Sequence, residues 1–300
     1  MKVYNAKDWL SFIFKIPKSD TIKKLWPSIL FMGALTWGVA YLELDYFQLN
    51  QNSTLKNTSI LHTVIGFVLS LLLVFRTNTA YDRWWEGRKM WGKLVNDSRN
   101  LAVKLNALLP ADAVSERTYF AKSITLFAKI LHTHLTSEST KYMLDEEMRP
   151  EYDSYLKAQH PPTKVVSNLY DEFFKMANNY QFKPEDKLMI ETNLNGLLEV
   201  AGACERIKNT PIPIAYAFFI KKFIFIYVLT LPIGYVFTTG YFIVPLVMII
   251  FYVLLSIELI AEEIEDPFNG GPDDLPTIQM AKNIGKNVHT ALLKKENANE

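Results

Sequence analysis

Phe75-Arg76-Thr77-Asn78-Thr79-Ala80-Tyr81-Asp82-Arg83-Trp84-Trp85-Glu86-Gly87-Arg88 marks the place where an uncharged run stops. No Asp, Glu, Lys or Arg occurs from Ile60 to Phe75, and Arg76, Asp82, Arg83, Glu86, Arg88 and Lys89 then follow within 14 residues. A helix leaving a lipid bilayer has this composition, with tryptophan and arginine at headgroup depth. The run Ile60–Phe75 is 16 residues long, short against the roughly 20 that cross a hydrocarbon core. Its small and polar residues decide between a membrane helix and a buried core helix. Ser59, Thr63, Gly66 and Ser70 fall at i, i+4, i+7 and i+11, on one helical face, as where membrane helices pack or line a cavity. Phe67, Leu71 and Phe75, at i, i+4 and i+8, form an adjoining apolar stripe. Periodicity alone favours ordinary packing for that stripe.

Working outward, Leu25–Leu44 is a first span of 20 residues with Glu43 its only charge. The segment before it mixes Lys2, Lys7, Lys15, Lys18, Lys23 and Lys24 with an apolar cluster around Trp9 and Phe12. Two readings fit: a segment lying on a membrane surface, or a helix packed on its own protein. Downstream, Phe223–Ile257 is 35 residues without a charge, too long for one span. Two helices joined at Thr238-Thr239-Gly240 are expected, each short enough to require tilt or local thinning. The expected organisation is an N-terminal segment over 1–24, two membrane helices over 25–83, and a helical region over 84–222. Two further membrane helices over 223–258 and an acidic segment with a final helix over 259–300 complete it.

The region 84–222 reads as helices. Phe120, Ile124, Phe127, Ile130 and Leu131 recur at helical spacing, as do Val166, Leu169, Phe173 and Ala177. Pro161-Pro162 interrupts the region, and Pro184-Glu185-Asp186 has the form of a helix start. Cys204, the only cysteine, sits on a run of core positions and reads as a buried thiol. Ile278, Ala281, Ile284, Val288 and Leu292 mark an amphipathic helix near the C-terminus.

Four spans in two hairpins place both ends of the chain on one side. Residues 76–104 carry seven Lys or Arg against three acids, which puts that side in the cytoplasm. The chain is therefore expected in a plasma membrane, the inner one in a bacterium. A net charge of +1 over 300 residues, with no basic tail, argues against nucleic-acid binding.

No catalytic constellation stands out, and the chain is not expected to be an enzyme. His132 and His134 are two apart and do not share a helix face; no metal-ligating spacing occurs. His62 lies at membrane depth and is either functional or a neutral imidazole bonded to a neighbouring helix. Glu258, Glu262 and Glu265 fall at i, i+4 and i+7, with Asp266, Asp273 and Asp274 beyond. They read either as a solvated face or as a cation-attracting vestibule.

The opening stretch with Trp91-Gly92 resembles the exit of the second membrane helix in the bestrophin family. Cys204-Glu205-Arg206-Ile207 with Asn209-Thr210-Pro211-Ile212-Pro213 resembles the approach to that family's third membrane helix. Glu262-Glu263-Ile264-Glu265-Asp266-Pro267-Phe268 with Asp273-Asp274-Leu275-Pro276 resembles the segment after its fourth. The resemblance implies an all-α membrane protein with four transmembrane helices per subunit and a large cytosolic helical region. It also implies a homopentamer around a central pore, conducting chloride or other monovalent anions passively. In the family the pore neck is three apolar residues at i, i+4 and i+8 on the second helix, which here are Phe67, Leu71 and Phe75. A cytosolic aperture upstream of Cys204 falls at Leu188. The alternatives are a monovalent-cation channel of the same architecture, which some bacterial members are, and a non-conducting membrane scaffold. Expected partners are further copies of the chain, membrane lipids and permeant ions. Animal members bind calcium through a denser acidic cluster; here Asn269, Gly270, Gly271 and Pro272 stand where more acids belong. Calcium and other cofactors are therefore not expected, and Asp266, Asp273 and Asp274 read instead as a cation site or a latch to a neighbour's N-terminal segment.

Overall fold

The computed structural model describes residues 21–49, 58–136, 155, 157–271 and 273–293, and all regular structure among them is helical. The N-terminal surface segment read from Trp9 and Phe12 lies outside these residues. Helices are α1 Thr21–Tyr41, α2 Thr58–Leu108, α3 Val114–Leu135, α4 Pro161–Asn179, α5 Pro184–Asn209, α6 Ile214–Thr239, α7 Ile243–Glu265 and α8 Thr277–Leu293. Helix α1 runs on into a short π-helical segment, Leu42–Tyr46, and a 3-10 turn, Gly240–Phe242, separates α6 from α7.

Among the described residues, three stretches are long and apolar enough to cross a membrane: Thr21–Tyr46, Thr58–Leu108 and Ile214–Glu265, the last broken at the 3-10 turn. Its break falls beside the expected Thr238-Thr239-Gly240, where Gly240 has φ of 56°, a left-handed value that glycine takes without steric cost. The two arms are longer than expected. Helix α6 starts at Ile214 rather than Phe223, and α7 runs to Glu265 rather than Ile257. Lys221 and Glu262 explain the extension: their 2.7 Å ion pair closes the open end of the antiparallel hairpin, so charged residues continue the helices instead of ending them.

Helix α2 also exceeds its expected span. The run Ile60–Phe75 is only its first part, and the whole helix is 51 residues, about 77 Å at 1.5 Å per residue. Hydropathy marks where lipid ends, not where hydrogen bonding ends. No proline occurs between Thr58 and Leu108, and Pro110 follows just beyond.

The chain divides into two compact units. In the first, Lys2–Arg83 with Pro211–Glu265, helices α1, α6 and α7 pack on one another. Met32, Leu69, Leu73, Ile224, Val228 and Val247 are buried among them. Gly234 lets α6 approach the start of α2: a Cβ there would stand 3.0 Å from the Ser59 backbone nitrogen. Such small-residue contacts are how membrane helices gain close packing.

In the second unit, Trp84–Thr210 with Asp266–Glu300, α3 packs on α8 and α4, and α4 on α5. Trp91, Phe120, Phe127, Phe173, Leu197 and Val288 are central to its core. The proline pair expected as an interruption is the first turn of α4, where proline's missing N–H costs nothing. Ala281, Ile284, Val288 and Leu292 are buried on α8 as expected, whereas Ile278 is exposed. It lies in the first turn, where Thr277 takes the inward position.

Candidate functional site

Helix α2 has two opposed faces within the first unit. His62, Leu69, Leu73, Arg76 and Ala80 are buried. Phe67, Leu71 and Phe75 are 65%, 44% and 62% exposed. At 100° per residue, Leu71 stands about 160° around the helix from both Leu69 and Leu73. The apolar stripe is thus largely exposed among the described residues. The small-residue stripe divides between the two faces. Ser59 and Gly66 meet α6: the Ser59 carbonyl accepts from Tyr235 Oη at 3.4 Å, and Gly66 leaves room for the Tyr227 hydroxyl. Thr63 and Ser70 are exposed, and their hydroxyls donate back to carbonyls one turn earlier.

The acidic run after Ile257 is not a free acidic face. Arg76, 1% exposed, reaches Glu258, 0% exposed, at 3.4 Å and Glu265 at 2.8 Å. Glu265 also accepts from the Ile212 backbone N–H at 2.7 Å. Glu262 pairs with Lys221, and Glu263 with Lys24. Glu258 and Glu265 are turned inward onto Arg76, while Glu262 is half exposed beside Lys221. Helical spacing places them on a common side but does not say what faces them, and here basic side chains from α1, α2 and α6 do.

The opening motif anchors the chain locally. Arg83 Nε donates to the Glu265 carbonyl at 3.0 Å within the first unit. In the second, Trp84 Nε1 donates to the Asp273 carbonyl at 3.3 Å. Gly87 lies beneath Pro267, Phe268 and Leu275, each of which would stand 3.1–3.3 Å from an added Cβ. Glu86 pairs with Arg206, so the exit motif and the Cys204-Glu205-Arg206-Ile207 motif meet.

Asp266 and Asp274 hold their own loop. Asp266 Oδ1 accepts from Phe268 N at 3.2 Å, and Asp274 Oδ2 from Gly271 N at 2.7 Å. Burial pushes the Asp274 carboxyl above its ordinary range, with the Gly271 N–H opposing the shift. Asp273 is exposed. Leu188 is exposed on the second turn of α5, in line with Thr192, Asn195 and Glu199, which are also exposed.

His62 is buried. Its Nδ1 lies 2.8 Å from the Thr58 carbonyl and its Nε2 3.0 Å from Thr230 Oγ1. A carbonyl only accepts, so Nδ1 carries the proton, and both ring nitrogens have partners, one of them on the neighbouring helix α6. Cys204 is buried and its thiol is pushed up to about 12 by burial, which leaves it protonated and inert.

The fold assembles one set of groups that local spacing does not reveal. Among the described residues, His134, His160 and Glu205 bring their ligand atoms within 4.8 Å of one another. His134 ends α3, His160 caps α4, and Glu205 is on α5. His132, two residues away, turns instead to Thr277 Oγ1 at 2.7 Å.

The family described as "Bacterial/Fungal Bestrophin protein" matches residues 1–290. The chain belongs to the bestrophin family. A voltage-dependent anion channel-forming protein of Nostoc sp. is 35% identical to this bestrophin over 239 residues, 76% of each chain. One of Escherichia coli K12, YneE, is 29% identical over 277 residues, 92% of this chain and 89% of the relative. The crystal structure of a point variant of a bacterial bestrophin homologue from Klebsiella pneumoniae superposes with a TM-score of 0.75. It is 24% identical, covering 90% of this chain and 98% of that one, and shows a shared fold.

Proposed function

We propose that this bestrophin is a passive anion channel, conducting chloride and similar monovalent anions through a pore lined by copies of α2. The reading rests on the family match over residues 1–290 and on relatives named as anion channel-forming proteins. Each subunit contributes four spans: α1, the first part of α2, α6 and α7. Both termini lie in the cytoplasm, and the membrane is the plasma membrane, the inner one in a bacterium. Five copies surround the axis. Phe67, Leu71 and Phe75 form the neck, and their exposure opposite the buried face of α2 supports this. Rings of such residues gate by dewetting and carry no charge preference of their own. Leu188 forms the cytosolic aperture, and Asp266, Asp273 and Asp274 serve a structural loop that latches to a neighbour.

The pairing of Glu258, Glu262, Glu263 and Glu265 with basic residues weighs against the cation channel. The test is the reversal potential of purified protein in a planar bilayer across a KCl gradient. A reversal potential on the chloride side of zero is expected; one on the potassium side selects the cation channel. No flux in vesicles selects the scaffold.

A further inference from the structure

We propose that His134, His160 and Glu205 form a Zn2+ site in the unit made by Trp84–Thr210 and Asp266–Glu300. His134 Nε2 is 2.9 Å from Glu205 Oε1, and His160 Nε2 is 2.8 Å from the same oxygen. The imidazole rings stand 5.3 Å apart and are inclined at 51°, so they converge on the carboxylate rather than stack. Two imidazole nitrogens and one carboxylate, with a water in the fourth place, are a familiar donor set for zinc. Metal–ligand distances of about 2.0–2.2 Å put tetrahedral ligand atoms roughly 3.3 Å apart. The two nitrogen–oxygen distances need to open by only about half an ångström to admit the ion, and all three ligand atoms already lie within 4.8 Å of one another.

The side chains of His134, His160 and Glu205 are 27%, 41% and 23% exposed. The site is held by three helices yet reached by solvent, which gives the ion a way in and leaves room for its water. Thr163 supplies the outer support. Its backbone N–H lies 3.2 Å from His160 Nδ1 and its hydroxyl 2.7 Å from the same atom. Without an ion the N–H donates to Nδ1, and the Nε2 proton faces Glu205. With an ion on Nε2 the proton sits on Nδ1, which then gives up the Thr163 N–H and donates to the Thr163 hydroxyl instead. A partner at the second ring nitrogen is the usual accompaniment of a metal-bound histidine. Lys208, a cation close to this cluster, directs its Nζ to the Leu135 carbonyl.

The ion joins the end of α3, the start of α4 and the later part of α5. Its occupancy therefore stabilises this unit whichever ion the pore conducts. The experiment uses the full-length protein in detergent, stripped with a chelator and titrated with ZnCl2. One Zn2+ retained per chain after desalting is expected, with Tm raised by several degrees. The triple variant His134→Gln, His160→Gln, Glu205→Gln is expected to lose both effects. Zinc retained equally by that variant overturns the assignment, as does failure of the wild type to retain zinc. Co2+ gives a check that needs no variant: absorption bands of a tetrahedral N/O site are expected in the wild-type protein, and their absence leaves only a hydrogen-bonded His–Glu–His trio.

Discussion

Arg76 and Glu258, 182 residues apart in the chain, meet as a buried ion pair with both side chains shut off from solvent. Glu265 completes the set at 2.8 Å from the same guanidinium. Removing the arginine strands a buried carboxylate without its ion-pair partner. Arg76→Ala is expected to destabilise the protein by about 3–5 kcal/mol, the usual cost of leaving one member of a buried pair. Arg76→Met combined with Glu258→Leu is expected to lose less than Arg76→Ala alone. Thermal unfolding in detergent measures both; equal losses would show that the pair is not coupled.

The neck assignment predicts a change in conduction with little change in folding. Alanine at Phe67, Leu71 and Phe75 together is expected to raise single-channel current, because the ring that dewets is gone. Their exposure within the chain means that no core cavity is created. Unchanged current from well-assembled protein would remove these residues from the pore.

Two glycines in helices are expected to respond oppositely to alanine. At Gly202 on α5 an added Cβ meets nothing within 4 Å, so Gly202→Ala should raise stability by about 0.5–1 kcal/mol through backbone entropy alone. At Gly234 on α6 it would stand 2.5 Å from Thr58 Oγ1 and 3.0 Å from the Ser59 nitrogen. Gly234→Ala should therefore cost about 1–3 kcal/mol as the helices separate. Paired Tm measurements decide; a gain at Gly234 would contradict the close approach.

Asp274 gives a pH dependence of known sign. Asp266 and Asp273 lie near it, and the N–H groups of Gly270 and Gly271 face it; burial dominates and raises its pKa from the ordinary 3.8. The folded state then holds the proton more tightly than the unfolded one. The group's contribution is fully present below 3.8 and is lost as pH rises through the raised folded value. Asp274→Asn keeps an oxygen for Gly271 and is expected to gain stability over the wild type at neutral pH. That gain should vanish on acidification; a difference independent of pH would refute the account.

Much of the architecture was legible because it follows from local rules. The break at Gly240 needs only an overlong apolar run and a residue tolerant of positive φ. The core helices α3 and α4 announce themselves through Phe120, Ile124 and Phe127, and through Val166, Leu169 and Phe173. The full extent of α2 was not legible from hydropathy, since a helix crosses from apolar to polar composition without interruption when no proline intervenes. The partners of Glu258 and Glu262 were not legible either. Periodicity assigns a residue to a side, and only the fold says that Arg76 and Lys221 occupy the space opposite. The trio of His134, His160 and Glu205 was hidden for the same reason: its members are separated by 26 and 45 residues, and no spacing rule links them.

The two faces of α2 also bear on how such a protein diverges. His62, Leu69, Leu73 and Arg76 carry the obligations of folding, while Phe67, Leu71 and Phe75 owe nothing to their own subunit's interior. Substitutions on the second side escape the stability threshold that constrains the first. If those three positions line the proposed neck, permeation can drift or be selected anew within one lineage while the fold of each subunit stays fixed.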